Sequence, residues 1–196
     1  IGVHNPILFF ASERETVDEA WPGDIIGIPN HGVLRVGDTL SESGSVIFTG
    51  IPNFAPEILR RVRLADPMKQ KHLARALESL AEEGVTQLFK PVIGSQWIVG
   101  VVGALQLDVL KSRLRAEYEL DADLEASPYD TARWLSGTPA EIEKFAAANR
   151  GGMATDRDGA PVFLAKSAWE IGYVAERFAN VKLLKTRERH EVHAES

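Results

Sequence analysis

The chain has 196 residues, 44% of them hydrophobic and 26% charged, enough for one or two buried cores and outside the disordered and collagen-like classes. It has no cysteine, which removes disulfide frameworks, thiolate metal sites and cysteine nucleophiles and fits a reducing compartment, so a cytoplasmic location is expected. Lys+Arg 22 against Asp+Glu 28 leaves a net charge of -6, so a polyanion is repelled overall and RNA affinity would need a local basic face.

No apolar run approaches the ~18 residues of a membrane span, and the start lacks signal-peptide organisation, so no membrane partner is expected. The chain opens on Ile1, and the stretch to Asn5 carries no helix start signal. The expectation is a piece of a longer protein.

Up to about Gly50 the punctuation is that of short antiparallel strands. Ile7 to Ala11 and Ile25 to Ile28 are strands, separated by turns at Trp21-Pro22-Gly23-Asp24, Pro29-Asn30-His31-Gly32 and Val36-Gly37-Asp38-Thr39. A few strands alone leave edges unpaired, so residues 1–51 are expected to be part of an antiparallel β-barrel. Pro52-Asn53-Phe54-Ala55-Pro56 reads as a stiff hinge, because each proline fixes its own φ and extends the residue before it.

Beyond residue 56 strands and amphipathic helices alternate. Glu57 to Leu64 is a strand; Asp66 and Pro67 open a helix to Glu83 with Leu73, Ala76, Leu77 and Leu80 on one stripe, and Gly84 ends it. Val85 to Lys90 and Gln96 to Val102 form a strand pair, a helix runs from Ala104 to Tyr118, and Glu119 to Ala126 alternates as a half-buried strand. The order then recurs. Tyr129 to Leu135 is a strand, Thr138-Pro139-Ala140-Glu141 opens a helix to Asn149 and Met153 to Asp156 pairs with Val162 to Lys166. Ser167 caps a helix to Phe178 and Val181 to Leu184 closes the unit. The predicted fold class is therefore α+β: a partial antiparallel β-barrel, then ferredoxin-like split βαβ units (βαββαβ), in tandem as halves 57–127 and 128–186 or sharing one continuous sheet. The four tryptophans are assigned to the core by default.

Chemistry-bearing patterns are sparse. Gly32 to Thr39 has P-loop glycine spacing, but Asp38 stands where lysine must meet phosphate. Gly94 and Gly100 to Gly103 do not complete G-x-G-x-x-G, and no G-x-S-x-G elbow occurs. Of the five histidines only His190 and His193 are close, in a polar tail. Glu119, Asp121, Asp123 and Glu125 lie ~7 Å apart along a strand face, too far to wrap one cation. In a ferredoxin-like sheet the last strand lies beside the first, so these carboxylates are expected to pair with Arg60, Arg61 and Arg63. Lys69, Lys71 and Arg75 extend that basic surface across the first helix and make it the candidate contact for an anionic partner such as ribosomal RNA. No catalytic, cofactor-binding or metal site is predicted.

Three stretches resemble the class II peptide-chain release factor, the translational GTPase release factor three: Trp21 to Ile25 with Asn30-His31-Gly32 and Gly37-Asp38-Thr39; Phe48 to Glu57; and Asp66 to Lys71. Val101 to Val109, Arg113-Leu114 and Thr131 to Trp134 are also similar to this family, and elongation factor G shows a looser likeness. The resemblance implies that 1–51 is the latter part of the second-domain barrel, 52–56 a hinge and 57–196 the third, C-terminal domain. It implies that GTP or GDP and magnesium belong to a GTP-binding domain outside this piece, which then neither holds a cofactor nor acts as an enzyme. The implied role is to bind the ribosome and promote GTP-dependent departure of class I release factors, as a monomer acting with its own GTP-binding domain. A different class of reading is a stand-alone small-ligand-binding regulatory module, since paired ferredoxin-like units create clefts at their junction. A metal-dependent enzyme using the Glu119 to Glu125 stripe is a third.

Overall fold

A computed structural model describes residues 5–10, 13–16, 19–29, 34, 37–46, 48 and 52–188, and the chain divides into two units, Ile1–Asp38 and Thr39–Ser196. In the first unit β1 (Ile7–Phe10) pairs antiparallel with both β2 (Glu13–Thr16) and β3 (Ile26–Gly27). The expected turn before β3 forms: the Asp24 N–H donates to the Trp21 carbonyl at 2.9 Å, and the Trp21 N–H donates to the Asp24 carboxylate at 2.7 Å. Gly23 carries the positive φ, +103°, that this turn needs. Among the described residues the three strands do not close into a barrel. The turn expected at Asn30-His31-Gly32 lies outside the described residues.

The second unit contains β4 (Pro52–Phe54), β5 (Ile58–Leu64), α1 (Gln70–Glu82), β6 (Gln87–Pro91), β7 (Ile98–Val101), α2 (Ala104–Tyr118) and β8 (Ala122–Ala126). It continues with β9 (Thr131–Ser136), α3 (Pro139–Ala148), β10 (Met153–Asp156), β11 (Pro161–Ala165), α4 (Ala168–Arg177), β12 (Lys182–Leu184) and β13 (Thr186–Glu188). Eight strands form one sheet in the order β12-β9-β11-β10-β6-β7-β5-β8. Each half is a ferredoxin-like βαββαβ unit whose last strand lies beside its first, and the halves share one sheet through their second strands, with Asp156 opposite Phe89. The α+β class and the repeat of element order are as expected.

Local signals explain the elements. The Asp66 carboxylate accepts from the Met68 N–H at 2.9 Å, Pro67 opens a single 3₁₀ turn that leads into α1, and Gly84 ends that helix at φ +81°. The Thr138 hydroxyl and Glu141 carboxylate form the reciprocal capping box of α3. One strand starts later than its alternation indicates. Glu119 sits in the left-handed region at φ 52°, its N–H and that of Leu120 both return to the Leu114 carbonyl, and Leu120 is buried. The helix end thus consumes Glu119 to Asp121, and β8 begins at Ala122.

Three buried clusters follow from the pleat. Leu73, Leu77 and Leu80 of α1 with Leu110 and Leu114 of α2 cover Val62, Leu64, Leu88 and Val99. Phe145 of α3 and Val174 of α4 cover Leu135, Met153 and Phe163. Leu59, Phe89, Ile98, Trp134, Val162 and Leu164 form a layer on the opposite face, with Ala55 packed against it. The Pro52 to Pro56 segment, read from its prolines as a hinge, carries β4, which pairs antiparallel with β13. The Ala55 N–H donates to the Lys185 carbonyl at 2.6 Å. Pro56 lies so close to the sheet that a Cβ on Gly100 would fall 2.7 Å from its Cγ, which is why a glycine stands there. Trp134 is buried in the layer opposite the helices, and Trp97 is partly buried against the cluster under α1 and α2. Trp21 and Trp169, also expected inside, are each 74% exposed; Trp169 instead stacks on Tyr173 one helical turn away, at 5.4 Å and 13°.

Candidate functional site

The candidate basic residues sit on β5, on the 3₁₀ turn that ends at Lys69 and on α1, and the pleat sends Arg61 and Arg63 to the face away from the helices. On β5, Val62 and Leu64 face α1 and α2, so Arg61 and Arg63 project to the opposite face. There β5 pairs with β8 in the register that puts Arg61 opposite Glu125 and Arg63 opposite Asp123. Arg61 Nη2 donates to Glu125 Oε2 at 3.0 Å, Arg63 Nε lies 2.7 Å from Glu125 Oε1, and Arg63 Nη2 lies 3.9 Å from Asp123. Lys111 of α2 reaches the same Asp123 carboxylate at 3.4 Å.

The expected cross-strand ion pairs therefore form, at Asp123 and Glu125; Glu119 and Asp121, which precede β8, do not share that register. With side chains from roughly one-third to two-thirds exposed, each pair contributes only ~0.2–1 kcal/mol and sets register and local charge more than stability. Arg60 turns back on its own strand and donates from Nη1 to the Leu59 carbonyl at 2.9 Å.

The helix contributes differently. Lys69 Nζ donates to the Glu119 carbonyl at 3.3 Å and His72 Nε2 lies 2.9 Å from the Tyr118 carbonyl, so both cover the C-terminal carbonyls of α2, and the Lys69 ammonium meets the negative end of the helix dipole. Lys71 and Arg75 are exposed on α1. The two groups thus do not form one continuous basic face. Arg61 and Arg63 are balanced by carboxylates on the side of the sheet away from α1, whereas Lys71 and Arg75 are exposed on α1.

A second charged cluster on α2 is structural. Arg113 donates to Glu117 from Nε at 2.6 Å and from Nη2 at 2.7 Å and also pairs with Glu83 at the end of α1, clamping the two helices. These bonds hold the Glu117 carboxyl below its ordinary pKa and raise that of Arg113.

One constellation was not legible beforehand. Asp156, in sequence only a residue before a turn, accepts from Trp134 Nε1 at 2.9 Å and pairs with Arg187 of β13. Its other oxygen accepts the N–H groups of Asp158 at 3.0 Å and Ala160 at 2.8 Å. One carboxylate so joins β9, the β10–β11 turn and the β4–β13 ribbon, and nothing in local spacing points to partners 22 and 31 residues away.

For chemistry, no group of three His, Asp or Glu side chains among the described residues is arranged to hold a metal. In the P-loop-like stretch, Gly32, Val33, Arg35 and Val36 lie outside the described residues, as do His190 and His193, and Gly37 has φ +100°. No described helix is long and apolar enough to cross a membrane.

Residues 48–175 match the family model of the class II release factor RF3, C-terminal domain, and residues 1–43 match that of elongation factor G domain 2. Both matched domains belong to factors of the translational GTPase family. The first match covers well over half of the chain and spans β4 through most of α4, so the protein belongs to the class II release factor RF3 family through its C-terminal domain.

Proposed function

We propose that the chain supplies the second and third domains of a translation-termination GTPase, with residues 1–51 as the latter part of the second-domain barrel, 52–56 as the connection and 57–196 as the third domain. In this reading it binds the ribosome as a monomer in the cytoplasm and promotes departure of class I release factors after peptide release. GTP or GDP and magnesium are held by a nucleotide-binding domain of the same parent, and no cofactor is held by residues 1–196.

The observation that carries the reading is the succession of an elongation factor G domain 2 match and a release factor C-terminal match along one chain. Nucleotide state then acts by shifting the placement of one domain against the others. Among Arg60, Arg61, Arg63, Lys69, Lys71 and Arg75, the exposed Lys71 and Arg75 are favoured for RNA phosphate, because the β5 arginines are already engaged by carboxylates or carbonyl. The test is cosedimentation with ribosomes across a salt series. Lys71→Glu with Arg75→Glu is expected to weaken binding and flatten its salt slope by about 1.4–1.8, at roughly 0.7–0.9 per phosphate contact. An unchanged affinity and slope would remove this assignment, and an absence of any ribosome association by the unsubstituted chain would count against the wider reading.

A further inference from the structure

The β4–β13 ribbon is held differently from the sheet beside it. Each of its strands has three residues, and among its described residues none is buried; Phe54 is 58% exposed. The first buried position after it is Pro56, against Gly100. Its ties are few and mainly polar. The Ala55 N–H donates to the Lys185 carbonyl, Gln87 Nε2 donates to the Phe54 carbonyl, and Arg187 pairs with Asp156 and lies 3.5 Å from Asp158. A segment with little apolar burial and exposed backbone hydrogen bonds opens locally at a lower free energy than the core.

The receiving side is built so that the ribbon can leave without stranding a charge. Removing one partner of a buried ion pair ordinarily leaves the other uncompensated. Here Asp156 keeps three donors without Arg187: Trp134 Nε1 at 2.9 Å and the N–H groups of Asp158 at 3.0 Å and Ala160 at 2.8 Å. Asp158 keeps Arg157, which donates to it from Nε and Nη2 at 3.2 Å. The Arg187 side chain, already 22% exposed when docked, passes into water. The apolar contact given up is that of Ala55 on the layer around Leu59, Phe89 and Trp134, whereas lifting β5 or β7 would uncover Val62, Val99 and Ile98.

We propose that β13 is a releasable latch on the Pro52–Phe54 strand and Ala55: the ribbon opens as one unit while the eight-stranded sheet stays folded, and the Arg187 pairs are the catch. The segment then has a docked and a released state. Its use in domain motion rests on the reading of residues 52–56 as the connection to the third domain. Docked, β13 fixes the direction in which the chain enters β5; released, the second domain can be repositioned without deforming the sheet.

The test is native-state hydrogen exchange of the ¹⁵N-labelled 196-residue chain at low urea concentrations. It compares the Ala55 N–H with that of Val62, which donates to the Trp97 carbonyl at 2.9 Å. Ala55 is expected to be about a hundredfold less protected than Val62, with a weaker urea dependence because its opening exposes less surface. Arg187→Glu sets a third carboxylate beside Asp156 and Asp158 and is expected to hold the ribbon open, so that Ala55 protection falls by about tenfold or more while Val62 stays protected. Equal protection and equal urea dependence of Ala55 and Val62 in the unsubstituted chain would overturn the latch. So would an Arg187→Glu chain in which Ala55 is as protected as before, or one that unfolds as a whole. None of these readouts involves the ribosome, so a latch that stands beside failed cosedimentation would lose only its link to domain motion.

Discussion

The two halves of the eight-stranded sheet share strand order and helix placement, yet they fill their cores differently. The first half uses 13- and 15-residue helices and an aliphatic layer of Leu73, Leu77, Leu80, Leu110 and Leu114. In the second half both helices have 10 residues, and the space is filled by aromatic rings. Phe145 meets Phe163 edge-on at 5.3 Å and 86° and Phe178 at 5.0 Å and 63°. Shorter helices present fewer side chains, and larger ones restore the packing density. A βαββαβ unit therefore constrains apolar pattern and total volume and leaves residue identity free, which is why the repeat shows in element order and not in sequence.

The comparison breaks first at Phe145. Phe145→Ala removes a fully buried ring from two edge-to-face contacts and is expected to cost about 3–5 kcal/mol, at or above Leu110→Ala at about 2–5 kcal/mol. Urea denaturation of both variants measures this, and a smaller loss for Phe145→Ala would mean that the second core does not depend on its rings.

Gly152→Ala comes next. Its Cβ would fall 2.5 Å from Phe163 Cε2 and 2.8 Å from the Leu164 carbonyl oxygen, so an overpacking cost of about 1–3 kcal/mol is expected in the same assay. Pairing it with Phe163→Leu should recover part of the loss if the ring is the obstacle.

Thr138→Ala is expected to cost about 1 kcal/mol through loss of the α3 cap. The Thr138 N–H and hydroxyl donate to Glu141 Oε2 at 2.9 and 2.7 Å and hold its carboxyl below its ordinary pKa. A lowered native pKa contributes stability that is present above the unfolded carboxyl value and lost as pH falls through the native one. The gap between the melting curves of parent and variant should accordingly narrow as pH falls below the ordinary carboxylate range, by the part that the Thr138 hydroxyl contributes to Glu141, while the part due to the Glu141 N–H capped by that hydroxyl remains.

The smallest effect sits at the outer edge of the first half. Arg61→Glu places two carboxylates opposite each other across β5 and β8 and is expected to lower stability by about 1 kcal/mol or less at low salt, less at high salt. An unchanged melting temperature at low salt would show that the pair contributes nothing there.

Much of this was legible along the chain because it is local. The Asp66-Pro67 start, the Thr138–Glu141 box, Gly84 and the Leu73 to Leu80 stripe act within one or two helical turns, and the element order they punctuate already implies that β8 lies beside β5 with arginines opposite carboxylates. The resemblance carried by Phe48 to Glu57 and the later stretches agrees with the family match.

What was not legible depends on groups brought together from afar. Pro52 to Phe54 looks like a stiff connector until β13 arrives beside it, since an isolated three-residue strand has no partner in its own neighbourhood. Asp156 likewise acquires its role from Trp134 and Arg187, and the basic cluster, continuous when read along residues 60–75, is divided because adjacent elements place their side chains on opposite faces of the sheet. Periodicity, caps and turn residues act over distances that the sequence itself spans, so the amino-acid order alone determined the elements, their succession and the α+β class. The shared sheet, the ribbon and the Asp156 junction were decided only by tertiary structure, because each depends on which strand edges and charges meet after the chain closes loops of tens of residues.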